Sequence, residues 1–253
     1  MVIDHEPGDL TCTVDAALPL AELQAHLAGA GQMLALDPPA DARLTVGEVF
    51  DRALFGPRAH RYGLPRDLVL GVRARLADGS VVRGGGRVVK NVAGYDLPKL
   101  LTGAHGVLGE LLELTLRLHP LPAATATLIT DSLDPIPLEP FDPACVELDW
   151  PPGRLLVQFE SPVAERLAGA ARALVGGELV ADDEPLWVEH RQRQAGLHLH
   201  RCPPSQVAGL VERLGGERVI GRVARGWMFS DVPAALVAPS PLERRVIERF
   251  AAR

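Results

Sequence analysis

One stretch limits the folds open to this chain. Gly94, Gly103, Gly106 and Gly109 place four glycines in sixteen positions, directly before an alternating run. From Glu110 to His119, Leu112, Leu114, Leu116 and Leu118 alternate with Glu113, Thr115, Arg117 and His119, the pattern of a strand with one wet face. Upstream, Asp96 can cap a short helix whose first turn tolerates Pro98, and Gly103 suits the left-handed residue that ends it. A turn of bare backbone between a short helix and such a strand lets a flat or anionic ligand approach closely.

The segments before this stretch predict compact α+β structure. Leu10 to Asp15 reads as a strand with Cys12 and Val14 on one face. Pro19 opens a helix in which Leu20, Leu23 and Leu27 share a face, and Gly29 with Gly31 ends it. Gln32 to Pro39 is an extended piece closed by prolines, and Thr45 caps a helix over Val46 to Leu54 with Glu48 in its first turn. Strands at Val69–Arg75 and Ser80–Arg83 flank Ala77-Asp78-Gly79, a hairpin signal. Gly84-Gly85-Gly86 follows a strand but opens no helix and lacks a Lys-Ser/Thr ending, so it reads as a flexible approach rather than a phosphate loop.

Eight of the 22 prolines lie between Pro120 and Pro152, which marks a domain boundary. Beyond it come strands at Cys145–Trp150 and Leu155–Glu160, then a helix started by Ser161 and Pro162 and stopped by Gly176-Gly177. A short strand (Glu178–Ala181), a charged helix (Glu184–Gln194), a strand (Gly196–Cys202), a helix (Ser205–Leu214) and a strand (Arg218–Val223) follow. Strands and helices of this size suggest a small α+β sandwich of ferredoxin-like character. The expected division is 1–123, a linker over 124–144, a second domain over 145–225, and a C-terminal strand and helix over 226–253 returning to the first domain.

Composition excludes several classes of function. A net charge of −6 over 253 residues disfavours nucleic acid as a partner. Cys12, Cys145 and Cys202 are odd in number and far apart, which fits free thiols in a reducing cytoplasm. No apolar run approaches the ~18 residues of a membrane span, and Met1 to Asp9 are polar, so a cytoplasmic protein is expected. Arginine outnumbers lysine 24 to 2, and both lysines, Lys90 and Lys99, sit in the glycine-bearing stretch. Those positions suit a compact ammonium; Lys90 beside Asn91 is either a structural or a phosphate-proximal contact.

The wording KNVAGYDLPKLLTGAHGVLGELLEL, from Lys90 to Leu114, resembles the flavin-binding signature of FAD-linked oxidases of the vanillyl-alcohol oxidase and p-cresol methylhydroxylase (PCMH) type. Within that family the chain resembles most the FAD-binding subunit of bacterial glycolate oxidase. The resemblance runs from about Val2 to Pro122, continues more weakly to the C-terminus, and includes Leu34-Ala35-Leu36-Asp37-Pro38-Pro39 and the segment Phe55 to Gly71. It implies a PCMH-type FAD-binding domain, truncated at its start, followed by a ferredoxin-like cap. It implies FAD as cofactor, with Thr45, Gly47, Tyr62, Gly63, Lys90, Asn91, Gly103, Gly106, Gly109 and Leu111 as the residues to touch it. It also implies oxidation of a 2-hydroxy acid, with a catalytic flavin subunit and an iron–sulfur subunit as partners. Three cysteines cannot themselves hold a four-cysteine cluster.

Two departures bear on the cofactor. Thr45-Val46-Gly47-Glu48 stands where the family has Thr-Ile-Gly-Gly, so Glu48 sets a negative charge where a pyrophosphate is expected, although a helix dipole also explains it. The family's first β-α-β segment, with its glycine-rich pyrophosphate turn, is expected ahead of Val2, where this sequence begins. Arg58 and Arg61 face either phosphate or solvent. His198, His200 and Cys202 share a strand face near His190, but packing is the expected use and no metal site is expected. No nucleophilic constellation stands out, and no general base is assigned. The alternative to a flavoprotein subunit is a flavin-free assembly subunit of the same descent.

Overall fold

The computed structural model describes residues 1–39, 41, 43–86, 96–180, 182–214 and 218–233. Lys90, Asn91, Gly94 and the helix expected within 226–253 lie outside these residues.

Among the described residues the first sheet has five antiparallel strands in the order β1-β2-β6-β4-β5. They are β1 (Val2–Glu6), β2 (Thr11–Asp15), β4 (Val69–Arg75), β5 (Val81–Gly85) and β6 (Glu110–Arg117). A two-residue ladder joins β3 (Gln32–Met33) to β7 (His119–Pro120). One face of the sheet is apolar: Cys12, Val14, Val72, Ala74, Leu114 and Leu116 form its core with Leu23 and Leu27 of α1 (Leu20–Ala28) and Val46, Val49 and Phe50 of α2 (Val46–Asp51). Burying each of the valine, leucine and phenylalanine side chains contributes roughly 1.5–3 kcal/mol before chain entropy is counted. The other face is wet. There Thr13 and Thr115 share a hydrogen bond at 3.0 Å, and Arg73 pairs with Glu113 at 2.5 Å.

The expected alternation fails at one position. Register shifts between Arg73 and Ala74 opposite β6, so Leu111, rather than Leu112, packs against the core. Strand β1 carried no clear sequence signal and is set by pairing with β2. Two one-turn helices, α3 (Ala59–Tyr62) and α4 (Pro65–Leu68), lead into β4, and α5 (Leu97–Leu101) precedes β6. Asp96 caps α5 through the Lys99 N–H at 3.2 Å, and Gly103 beyond it has φ +79°, both as the sequence predicts.

The second unit is α+β, but larger than a four-stranded ferredoxin-like one. Among the described residues its antiparallel sheet has seven strands, in the order β11-β8-β10-β9-β13-β14-β12. They are β8 (Thr125–Thr130), β9 (Cys145–Trp150), β10 (Arg154–Glu160), β11 (Glu178–Val180), β12 (His198–Arg201), β13 (Val219–Arg222) and β14 (Trp227–Ser230). Two corrections follow. Strand β8 lies inside the stretch expected as a proline-rich linker, because Ala126 and Leu128 are needed on the sheet's buried face. Strand β14 completes this sheet between β13 and β12 rather than joining the first one.

Helices α6 (Ala164–Val175) and α8 (Val207–Arg213) cover one face of the second sheet through Ala164, Ala168, Ala171, Val207 and Leu210. The opposite face meets α7 (Glu184–Arg193) and the first domain. Trp227 and Phe229 of β14 pack there with Phe55, Ala59 and Leu64.

Candidate functional site

A cleft of about 650 Å³ opens where β2 ends, α2 begins and the turn before β6 closes. Its walls include Thr45, Gly47, Glu48, Asp51, Arg75, Gly106, Gly109, Glu110 and Leu111. Five expected cofactor residues, Thr45, Gly47, Gly106, Gly109 and Leu111, are therefore brought together from segments some sixty residues apart in sequence.

Each glycine has its own reason. A Cβ on Gly47 would stand 2.9 Å from Ala16, so its absence lets α2 press against the end of β2. Gly109, at φ +148°, backs onto the Arg75 carbonyl, which a Cβ would approach to 2.5 Å. Gly106, at φ +73°, meets nothing within 4 Å and leaves the backbone bare.

The polar groups of the cleft are largely engaged with one another. Thr45 and Glu48 form a capping box: the Thr45 N–H and hydroxyl donate to Glu48 Oε2 at 2.8 and 3.0 Å, and the Glu48 N–H returns to Thr45 Oγ1 at 3.2 Å. These bonds from Thr45 hold the Glu48 carboxyl below its ordinary value. The Val46 amide donates to the Leu18 carbonyl and the Gly47 amide to the Ala16 carbonyl at 2.7 Å. In the facing turn, the Gly103 and His105 amides reach the carbonyls of Phe50 and Asp51, and the Gly106 amide reaches Asp51 Oδ1 at 2.7 Å. Arg75 pairs with Glu110 at 2.6 Å.

Tyr62 and Gly63 stand elsewhere, at the junction with the second domain. The Tyr62 hydroxyl donates to Glu160 Oε2 at 2.8 Å, its ring meets His119 edge-on at 4.7 Å, and burial followed by the Glu160 charge raises its pKa. Gly63, at φ +90°, lies against the Asp67 carboxylate. Arg58 and Arg61 face carboxylates, not open solvent. Arg58 Nε donates to Glu160 Oε1 at 2.9 Å, while Arg61 pairs with Asp142 and also reaches the Glu160 carbonyl.

Sequence reasoning missed the buried charges of this junction. Arg222, fully buried, donates to the Gly56 carbonyl at 3.1 Å and Gln194 at 2.9 Å, lies 3.1 Å from Glu147 and sits over the rings of Phe55 and Phe229. Asp37 accepts the Arg58 N–H at 3.0 Å with Arg191 4.0 Å away, and burial pushes its pKa up to about 6 against the pull of Arg58, Arg191 and Arg222. Only the Leu-Asp-Pro-Pro wording hinted at Asp37; a lone arginine or glutamate on an alternating strand gives no local signal.

The histidines and cysteines do not converge. His190 contacts Glu147 at 3.2 Å, His200 bonds Ser230 and the Val232 carbonyl, and all three cysteines are free thiols. Among the described residues no group of three or more potential ligands could hold a metal ion.

Comparison with known proteins matches these features to a family. Residues 1–85 match the family model of an FAD binding domain. The chain is 36% identical over 202 residues to glycolate oxidase subunit GlcE of Escherichia coli (strain K12), covering 76% of this chain and 56% of that protein. It is 32% identical over 128 residues to glycolate oxidase subunit GlcD of Bacillus subtilis (strain 168), covering 51% of this chain and 27% of that one. The chain thus spans little more than half of the first of these relatives and about a quarter of the second. A solved structure of alkyldihydroxyacetonephosphate synthase superposes with a TM-score of 0.68 at 14% identity, covering all of this chain and 63% of that one, and shares the fold.

FAD is the cofactor that the domain match and these relatives support. The cleft leaves room for a flat ring at Gly106, where a Cβ would meet nothing within 4 Å, beside the apolar Leu111. Its engaged amides and its Glu48, Asp51 and Glu110 carboxylates do not suit a diphosphate at the same place. Through residues 1–85 the chain is similar to the FAD binding domain family, and over 202 residues it is similar to a glycolate oxidase subunit.

Proposed function

We propose that this chain is the FAD-binding subunit of a glycolate-oxidase-like complex, taking part in the oxidation of a 2-hydroxy acid and in electron transfer to a further subunit. The observation that carries the reading is the convergence of Thr45 and Gly47 with Gly106, Gly109 and Leu111 on one cleft, inside a chain that carries the FAD-binding match. Flavin, when bound, accepts the hydride and passes on the electrons. The protein's part is orientation and packing: the bare backbone at Gly106 admits a ring, Leu111 offers it an apolar contact, and the Thr45–Glu48 box fixes the start of α2.

The proposed partners are a catalytic flavin subunit and an iron–sulfur subunit, in the cytoplasm. No helix among the described residues is long and apolar enough to cross a membrane. Purification of the chain alone and co-expressed with those subunits tests the reading. Flavin bound to this chain alone, or one flavin in the complex beyond that of the catalytic subunit, supports it; a chain that is colourless alone and adds no flavin to the complex overturns it.

A second reading, a flavin-free assembly subunit, is favoured by one observation. The amides that open α2 are closed by the chain's own Thr45 and Glu48 and by neighbouring carbonyls. A colourless chain that is still required for the partner subunits to assemble would support that reading.

A further inference from the structure

The charge pattern of the cleft discriminates among ligands that share a ring. Among the described residues, three carboxylates, Glu48, Asp51 and Glu110, line it with one guanidinium, that of Arg75. Glu110 pairs with the cation of Arg75 at 2.6 Å, whereas Asp51 and Glu48 accept only neutral donors within the cleft. Asp51 takes the Gly106 N–H at 2.7 Å. Glu48, exposed, takes the N–H and hydroxyl of Thr45, which leave its negative charge in place and fix its position on the cleft wall, while Arg52 and Asp41 act on it from outside the lining.

We infer that Glu48 is a specificity-determining residue: it lets the cleft take an uncharged aromatic heterocycle and makes it disfavour the same heterocycle when a phosphate is attached. This rests on the ring-binding reading of the cleft given above. One unit charge a few ångströms from a phosphate in a water-filled cleft changes affinity by about fivefold to tenfold. In the intact cofactor the diphosphate would accordingly lie away from Glu48.

Riboflavin and FMN separate the two contributions, because they share the ring and differ by the phosphate. Their binding to the full-length chain and to Glu48→Gln is measured by quenching of flavin fluorescence at low and at high salt. Glutamine keeps an acceptor for the Thr45 N–H, so the capping box and the fold survive, as an unchanged melting point would show. The expected result is tighter binding of riboflavin than of FMN by the natural chain. In Glu48→Gln, FMN affinity rises about fivefold to tenfold, riboflavin affinity stays within about twofold, and the gain shrinks as salt screens the charge. An FMN-to-riboflavin ratio equal in the two proteins overturns the role of Glu48 while leaving the ring cleft standing. If neither ligand binds either protein, the cleft reading fails and this inference with it.

Discussion

Tyr62 donates its hydroxyl to Glu160 at 2.8 Å, across the junction of the two domains. The same carboxylate accepts Arg58 Nε at 2.9 Å, and its side chain is fully buried. Segment 55–63 is thus gripped by the second domain. Arg222 holds the Gly56 carbonyl, Gln194 holds the Phe55 carbonyl and Arg225 holds the His60 carbonyl. Removing the charge of Glu160 leaves the mostly buried Arg58 without its nearest counterion. Glu160→Gln is expected to cost about 3 kcal/mol and Tyr62→Phe about 1 kcal/mol in urea unfolding. Equal, negligible losses would show that the two domains are not held here.

Glycines of the same type in sequence should differ sharply in tolerance. A Cβ on Gly56 would sit 1.7 Å from the Asp37 carbonyl oxygen, a backbone atom that cannot swing away. Gly56→Ala should cost roughly 3 kcal/mol or more. Gly106→Ala meets open space and carries only the strain of φ +73°, about 1–2 kcal/mol. Thermal melts of the two variants compare them directly, and a reversed order would refute the packing described.

Asp37 makes folding pH-dependent. Its folded pKa of about 6 lies above the ordinary value of 3.8, so the folded state holds the proton more tightly than the unfolded chain does. Its contribution is fully present below about pH 4 and is lost as pH rises through about 6, a change of roughly 2–3 kcal/mol. Burial lowers the pKa of His60 and His119, which works in the opposite direction as pH falls. The comparison of Asp37→Asn with the natural chain isolates the term: the variant should gain stability relative to the parent between pH 4 and pH 7. A constant difference across that range would refute it.

Arg222 and Glu147 are both fully buried, 3.1 Å apart. Arg222→Met strands a buried carboxylate and should cost about 3–5 kcal/mol in denaturant unfolding. Adding Glu147→Gln removes that stranded charge, so the double variant should be more stable than Arg222→Met alone. Strict additivity of the two single losses would contradict the pairing.

The sequence by itself determined the elements with local causes. Alternation gave the wet-faced strand through Leu114 and Leu116, Asp96 and Thr45 gave helix starts, and Ala77-Asp78-Gly79 gave the hairpin between β4 and β5. The family resemblance also named five residues that line one cleft; among them Gly47 and Gly109 stand where the surrounding chain leaves no room for a Cβ, and Gly106 stands at φ +73°.

The tertiary structure decided what depends on partners distant in the chain. Leu111 replaced Leu112 in the core because of a register shift against β4, which no single strand records. Thr125–Thr130 became a strand of the second sheet because β10 and β11 pair with both its edges. Arg58 and the Tyr62 hydroxyl turned to Glu160, a buried carboxylate about a hundred residues away that needs donors, and Arg61 turned to the Glu160 carbonyl and the exposed Asp142. Charges choose their neighbours by distance in space, and a linear pattern carries that distance only between residues close along the chain.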